Sequence, residues 1–443
     1  MDTVLEGLAA RWSCVTPGDL PDEVTRVGRQ CMLDWLGCTL AGSREPLAGI
    51  LRQELAGPGR ATLVGTRGTA SARDAALING AAGHALDFDD THTLLSGHPT
   101  VPVLPAVLAV AEERDLDGAD LLTAFVVGVE VECRVGALLA PGHYRAGWHA
   151  TGTIGTIGAA AAVAHLLRLD RQRTVHAMAL AATQAAGVKA SFGTMAKPLH
   201  AGKAATDGLL AARLAARGFT GNPAALEAPQ GLAQAAGGGG LDPARLERLE
   251  DRWVIRDTLF KYHAACYLTH ASINAALALE VPPDRIDSVE VHVAEDSLAV
   301  CNIPRPVTGL EAKFSLRATT AIALLGDDTT DMAAYRDARM ADPDLVALRD
   351  RVTVVASGDR PGTRSKVVVT TIDGQRLQSE DDTGIPAADL DLQMARLSSK
   401  FRGLAGPVLG EHGADRLREA VVGGAGARAL AGLTRPPDPA PGA

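Results

Sequence analysis

The chain is poor in aromatic side chains, with seven Phe, four Trp and four Tyr in 443 residues. A core with so little ring bulk must be filled by small residues, and the sequence is correspondingly rich in Ala and Gly. Helices of that composition pack backbone near backbone. Concentrated positive charge is also missing. The net charge is −9 and no run of Lys or Arg exceeds two, which excludes nucleic acid and anionic membrane surfaces as partners. Any positive charge in a pocket is then local and suits a small anionic substrate. No long apolar run is present. The longest, Ile154 to Leu167, contains Gly and His165 and is too short to span a bilayer, so it reads as a buried helix. The six cysteines (14, 31, 38, 133, 266 and 301) form neither a CxxC pair nor a metal-ligand spacing. They read as reduced thiols, mostly small core residues. MDTVLEGLAARW lacks the basic and apolar regions of a secretory leader, and a cytoplasmic location is expected. The glycines of GTIGTIGAAAA follow no strand, which disfavours a dinucleotide loop.

What is present is helical periodicity. From Pro21 to about Arg217 the segments PDEVTRVGRQCMLDWLGCTLAG, DAALINGAAGHALD, VLPAVLAVAEER, DGADLLTAFVVGVEVECRVGALLA and RQRTVHAMALAATQAAG repeat apolar residues every three or four positions. Each stops near Gly, Pro or Asp, as in a helical bundle. Beyond about residue 257 the pattern changes. IDSVEVHVAE, RVTVVAS and SKVVVTTIDG alternate like strands, with ASINAALALE, AKFSLRATTAIALLGD and DPDLVALRDR as helices between them. Helix returns from DLQMARLSSK onward. The expected fold is therefore mainly α: a large all-helical domain built from both chain ends (1–257 and 393–434) and an inserted smaller α+β domain (258–392). AAGGGGLDP reads as a loop, and Pro-rich residues 435–443 read as a disordered tail.

The chemistry concentrates in four places. GHALDFDDTHTLLSGHP carries Asp87, Asp89, Asp90, His84, His92 and His98 on a turn between two apolar helices. A solvated turn with helix-capping aspartates is the plain alternative. Charged groups beside apolar helices are costly unless paired or used, and comparable clusters recur downstream. GWHATGTIG places His149 at the opening of a small-residue helix. KPLHAG places Lys197 and His200 ahead of a helix read from about Ala201 to Arg217, where free N–H groups and the lysine would receive a carboxylate. KYHAACYLTH gathers Lys261, His263, Cys266 and His270. A lysine in such apolar company pairs with an anion or loses its proton. Cys266 reads as a buried core thiol before it reads as a nucleophile.

These segments resemble the MmgE/PrpD family, whose members include 2-methylcitrate dehydratase, cis-aconitate decarboxylase and iminodisuccinate epimerase. The matching stretches are LDWLGCTLAG, INGAAGHALDFDDTH followed by HP, GWHATGTIG, GTMAKPLHAGKAA with GFTG, FKYHAACYLTH, EAKFSL and SSKFRGLAG, in order from about residue 33 to 405. The resemblance implies a large helical domain, an α+β lid domain with the site between the two, and a homodimer. It implies small di- and tricarboxylate substrates and no metal or organic cofactor. Carried over by motif, it places catalytic groups at Asp87, His98, His149, Lys197 and Lys261. Thr91, His200, His263 and Cys266 are read beside these as substrate-binding groups. Two decarboxylase positions differ: a His five residues after the lid lysine is Cys266 here, and a Tyr three residues after the Ser of KFS is Ala318. His263 stands where an aromatic is usual, and the loop between DFDDT and HP is a residue longer. These differences disfavour cis-aconitate decarboxylation.

Such groups suit proton transfer beside a carboxylate. Lys197, Lys261 and His200 would hold carboxylates, while His98 and His149 exchange protons near neutral pH. Asp87 would orient a histidine. The reading is a cofactor-free lyase, first a hydro-lyase like 2-methylcitrate dehydratase, with an isomerase, an epimerase or a related decarboxylase as alternatives. Two others stand further off. DFDDTH could chelate Mg²⁺ in a terpenoid-synthase-like helical fold, against which the scarcity of rings argues. A non-catalytic carboxylate-binding paralogue would account for the changes at 266 and 318.

Overall fold

The structure, a computed structural model, describes residues 2–55, 57–236, 241–358 and 360–438. Part of the expected Gly-rich loop (237–240) and the last five residues of the expected tail lie outside these. Residues 435–438 of that tail are described, and Arg435 Nη2 donates to Thr62 Oγ1 at 3.3 Å. The chain divides into two compact units. One runs to Phe260 and resumes at Ala388; the other is Lys261–Ala387.

The larger unit is built on α1 (Val4–Trp12), α2 (Asp22–Gly42), α3 (Pro46–Leu55), α4 (Ala72–His84), α5 (Thr100–Arg114), α6 (Gly118–Leu139), α7 (Ala150–Leu166), α8 (Arg171–Ala182) and α9 (Ala196–Ala216). It departs from the all-helical expectation, because β1 (Ala61–Thr62) and β2 (Thr69–Ala70) form a short antiparallel ribbon. Residues too brief for a helix pair there through a Gly-containing turn. The small-residue composition has the expected effect. A Cβ on Gly80 of α4 would lie 2.8 Å from the Gly202 Cα of α9, so these two helices cross at backbone contact. No helix among the described residues is long and apolar enough to cross a membrane.

After the smaller unit the chain returns as α13 (Leu390–Gly423), bent at Gly410 (φ 74°), and α14 (Ala427–Leu433). α13 lies against α2. Gln30 Nε2 donates to the Leu390 carbonyl at 2.8 Å, and Gln393 Nε2 donates to Gln30 Oε1 at 2.7 Å. Phe401 packs on Gly37, where a Cβ would stand 3.1 Å from its ring.

The smaller unit holds α10 (His270–Leu277), α11 (Leu316–Leu324), α12 (Pro343–Arg349) and a four-stranded sheet. The strands are β3 (Ile286–Val293), β4 (Val352–Ala356), β5 (Arg364–Thr371) and β6 (Arg376–Asp382), in the order β4-β3-β5-β6. β3 and β4 are parallel, bridged in sequence by α11 and α12, and the remaining pairs are antiparallel. β6 (RLQSEDD) was not legible as a strand because its side chains are nearly all polar and partly or fully exposed. It forms by continuing from β5 through the turn at Asp373–Gly374.

Candidate active site

α4 ends at His84, and the chain turns through Ala85–Asp90 before α5. Asp87 sits in the left-handed region (φ 51°), a conformation that Asp tolerates better than most residues. Four consecutive residues of this turn are each held by a different partner. Lys197 Nζ donates to Asp87 Oδ1 at 2.5 Å. Lys400 Nζ donates to the Phe88 carbonyl at 2.6 Å. His84 Nδ1 lies 2.9 Å from both carboxylate oxygens of Asp89. The Thr100 backbone N–H donates to Asp90 Oδ1 at 3.3 Å, and its hydroxyl donates to Oδ2. All four turn residues are buried. The solvated-turn alternative is thereby set aside.

The histidines assemble on this turn. His98 Nδ1 donates to the Asp90 carbonyl at 2.7 Å and stands 3.3 Å from Asp89 Oδ2. Its Nε2 is 3.7 Å from Asp87 Oδ1, within ion-pair reach once protonated. The His84 and His98 rings meet edge to face at 4.5 Å, and His84 stacks on His149 at 5.7 Å. His149 caps the N-terminus of α7, and its Nδ1 is 3.2 Å from His200 Nδ1. Phe192 closes on the His149 ring at 5.0 Å, and Lys197 Nζ lies 5.1 Å above Phe192. Gly152 is required here: a Cβ would stand 2.9 Å from the His200 Cβ and 2.7 Å from the Ala186 carbonyl oxygen. The GTIGTIG glycines thus serve close packing inside α7.

Burial dominates the titration of this cluster. It pushes His84 down to about 4 against the pull of Asp89. Burial, then the Lys197 charge, holds His149 well below the ordinary imidazole range and lowers His200. These rings are neutral at neutral pH and able to accept a proton. Burial opposes the charge on Asp89, but His84 and His98 together hold its carboxyl well below the ordinary range. Asp90 is the opposite case. Burial, with the Asp34 charge behind it, pushes it up to about 8. Adjacent carboxyl groups therefore carry different protonation states, the pattern by which acid and base roles separate.

His84, Asp87, Asp89 and His98 each offer one ligand atom, all within 4.8 Å of one another, which is a spacing a cation could use. The donor chemistry fits poorly. An ammonium already sits on Asp87, and the Asp89 carboxylate is engaged by His84 and His98.

Five sequence-derived candidates, Asp87, His98, His149, Lys197 and His200, converge in the larger unit. α9 begins at Ala196, five residues before the expected start, so Lys197 and His200 lie within the helix and not ahead of it. Thr91 Oγ1 donates to the Gly97 carbonyl at 3.0 Å, an internal loop bond. His92 is structural: Nε2 donates to the Val254 carbonyl and Nδ1 accepts from the Leu94 N–H.

Lys261, His263 and Cys266 belong to the smaller unit and are all buried there. His263 has both ring nitrogens engaged, with Thr329 Oγ1 and Asn274 Oδ1, each at 2.8 Å. That satisfied pair marks a role in holding the unit together. The Cys266 backbone N–H donates to the Lys313 carbonyl at 3.0 Å. The segment 261–266 is coil bent at 263–265; a 3-10 turn covers Tyr267–Thr269, and α-helix begins at His270. Ala318 is fully buried in the first turn of α11.

Sequence reasoning assigned no role to His84, Asp89, Asp90 or Lys400. A His–Asp pair five residues apart across a helix C-terminus was the available signal for the first two. Lys400 comes from SSKFRG, 312 residues beyond Phe88, and had none.

Comparison with known proteins places the chain in a family. The model of the MmgE/PrpD N-terminal domain matches residues 6–243, and that of the C-terminal domain matches residues 263–423. The cis-aconitate decarboxylase of Homo sapiens is 30% identical over 356 residues, covering 76% of this chain and 73% of the relative. A cis-aconitate decarboxylase-like protein of Aspergillus oryzae is 28% identical over 444 residues, covering 92% and 91%. The cis-aconitate decarboxylase of Aspergillus terreus is 26% identical over 441 residues, covering 91% and 90%.

Proposed function

The chain belongs to the MmgE/PrpD family, and on that premise we propose that it is a cofactor-independent lyase of a small di- or tricarboxylate. The observation that carries the reading is the Lys197–Asp87 pair set beside a row of imidazoles, in which His84 meets His98 on one side and His149 on the other. The reaction starts at a C–H beside a carboxylate. A neutral imidazole takes the proton, and the C–H electron pair becomes an enolate, which the Lys197 ammonium stabilises. Lys261 is proposed as a second cation for substrate carboxylates. In a dehydration the enolate pair forms the C=C bond as the C–O bond breaks. A protonated His98 hands its proton to the departing hydroxyl, which leaves as water. Asp87 stabilises the charged form of His98 across their 3.7 Å separation.

The first reading within this class is a hydro-lyase like 2-methylcitrate dehydratase, acting in the cytoplasm as a homodimer. The relatives' names favour a second, decarboxylation of cis-aconitate. Against it stand Cys266 and Ala318 at two proton-donor positions, since a thiol is a weak donor and alanine donates nothing. The test is a panel of citrate-, aconitate- and aspartate-derived acids followed by NMR in D₂O. Deuterium uptake beside a carboxylate, with or without net turnover, is expected for at least one acid. Complete absence of exchange across the panel overturns the reading.

A further inference from the structure

His84 is fully buried, and its Nδ1 is equidistant from the two Asp89 oxygens at 2.9 Å. A carboxylate only accepts, so Nδ1 carries the proton and Nε2 presents the lone pair. Among the described residues Nε2 has no hydrogen-bond partner. A buried nitrogen left so is costly and calls for a function. The neighbouring rings are differently placed. His98 rests its Nδ1 mainly on a neutral carbonyl, and its Nε2 already faces Asp87. His149 Nε2 is likewise without a hydrogen-bond partner among the described residues, but its Nδ1 rests on another imidazole and not on a carboxylate. His84 alone has a carboxylate bonded squarely at its far nitrogen, an arrangement that fixes the tautomer and stabilises the imidazolium formed on protonation.

We propose that His84 and Asp89 form the catalytic base of this site, His84 Nε2 taking the substrate proton and Asp89 fixing and charging-compensating the ring. The inference rests on the functional reading above and names its base. In the step, the C–H bond breaks, a new N–H bond forms at Nε2, and the electron pair stays on carbon as the enolate. The imidazolium is paired with Asp89, and it returns its proton to water after product departs. His98, facing Asp87, is thereby left as the acid. Asp89 is a positioning residue, acting only through His84.

The test combines kinetics with ¹⁵N NMR of the histidine rings. With the acid found active in the panel, His84→Gln is expected to lower kcat and C–H exchange roughly 10²- to 10⁴-fold, the range of general base catalysis, with KM little changed. Asp89→Asn should lower kcat similarly, and Asp89→Glu should restore part of it. In the ligand-free wild type, His84 should appear neutral with its proton on Nδ1, and Asp89→Asn should abolish that preference. Wild-type kcat in a folded His84→Gln protein overturns the proposal while leaving the functional reading standing. A resting His84 protonated on Nε2 overturns it whatever the activity. If no acid exchanges in the wild type, the functional reading fails, and with it this assignment of a base.

Discussion

Lys400 holds Phe88. Its ammonium donates to the Phe88 carbonyl at 2.6 Å, lies 4.0 Å from the Phe88 ring centroid, and stands 2.6 Å from the buried carboxylate of Asp34. One cation from the C-terminal helix therefore fixes the peptide between Asp87 and Asp89. Lys400→Ala leaves Asp34 buried with its cation removed, and loss of one partner of a buried pair costs about 3–5 kcal/mol. Urea unfolding should show a loss of that size. The double variant Asp34→Leu/Lys400→Met should recover much of it, and an equal loss in both would refute the pairing argument.

Lys197→Ala removes the cation proposed to stabilise the enolate and also the partner of Asp87. A charge-assisted bond contributes roughly 1.5–3 kcal/mol, so kcat/KM should fall about 10- to 150-fold. Lys197→Arg should recover less than a single charge would suggest, because a planar fork replaces a compact ammonium. Unchanged kinetics in the alanine variant would remove Lys197 from the mechanism. Lys261→Ala, measured alongside, tests the second proposed cation by the same rise in KM.

The elevated Asp90 gives a pH signature. Its folded-state value near 8 lies above the ordinary 3.8, so the folded protein binds the extra proton between them. Stability from this group is complete below about pH 4 and declines as pH rises to about 8. Asp90→Asn mimics the protonated form and can keep both bonds to Thr100. The variant should gain thermal stability relative to wild type as pH rises through that window. A constant difference in Tm from pH 4 to 9 would contradict the assignment.

Chelation should be without effect. The Lys197 ammonium on Asp87 and the Asp89 carboxylate engaged by two imidazoles leave a poor donor set for a cation. Activity toward the best acid of the panel should survive EDTA, and loss restored by Mg²⁺ or Zn²⁺ would revive the metal alternative.

Cis-aconitate should be a poor substrate for decarboxylation. The carbanion left by CO₂ must be protonated at one defined carbon, and the residues at two expected donor positions are a buried thiol and a buried methyl group. Itaconate, followed by chromatography, should form at far below 1 s⁻¹, the lower end of the ordinary enzyme range. A kcat at or above about 1 s⁻¹ would make decarboxylation the leading reading.

Helix existence was legible because apolar spacing is a local property. The segments around Met32, Ile78, Val107 and Val127 all fold where their periodicity places them. The cluster at 84–98 was legible as chemistry, since its groups lie close in sequence. Their roles were not. Asp89 reaches His84 only because α4 stops there and the chain reverses. Lys400 reaches Phe88 only after the entire smaller unit has been traversed. His263 looked like a ligand from its neighbours Lys261 and Cys266. Its bonds to Asn274 and Thr329 come from separate segments that no local pattern links. β6 escaped notice because pairing with β5, not its own side chains, makes it a strand.

The Gly80–Gly202 crossing limits how this site can be altered. A methyl group at residue 202 would stand 2.2 Å from the Leu77 carbonyl oxygen, so the helices bearing His84 and Lys197 cannot be re-spaced by small substitutions at their seam. Selection for a new substrate must then work through the side chains of the site and not through its frame. Descendants of this scaffold should diversify in chemistry while keeping the distance between these two helices constant, and a library randomised at either glycine should return mostly unfolded protein.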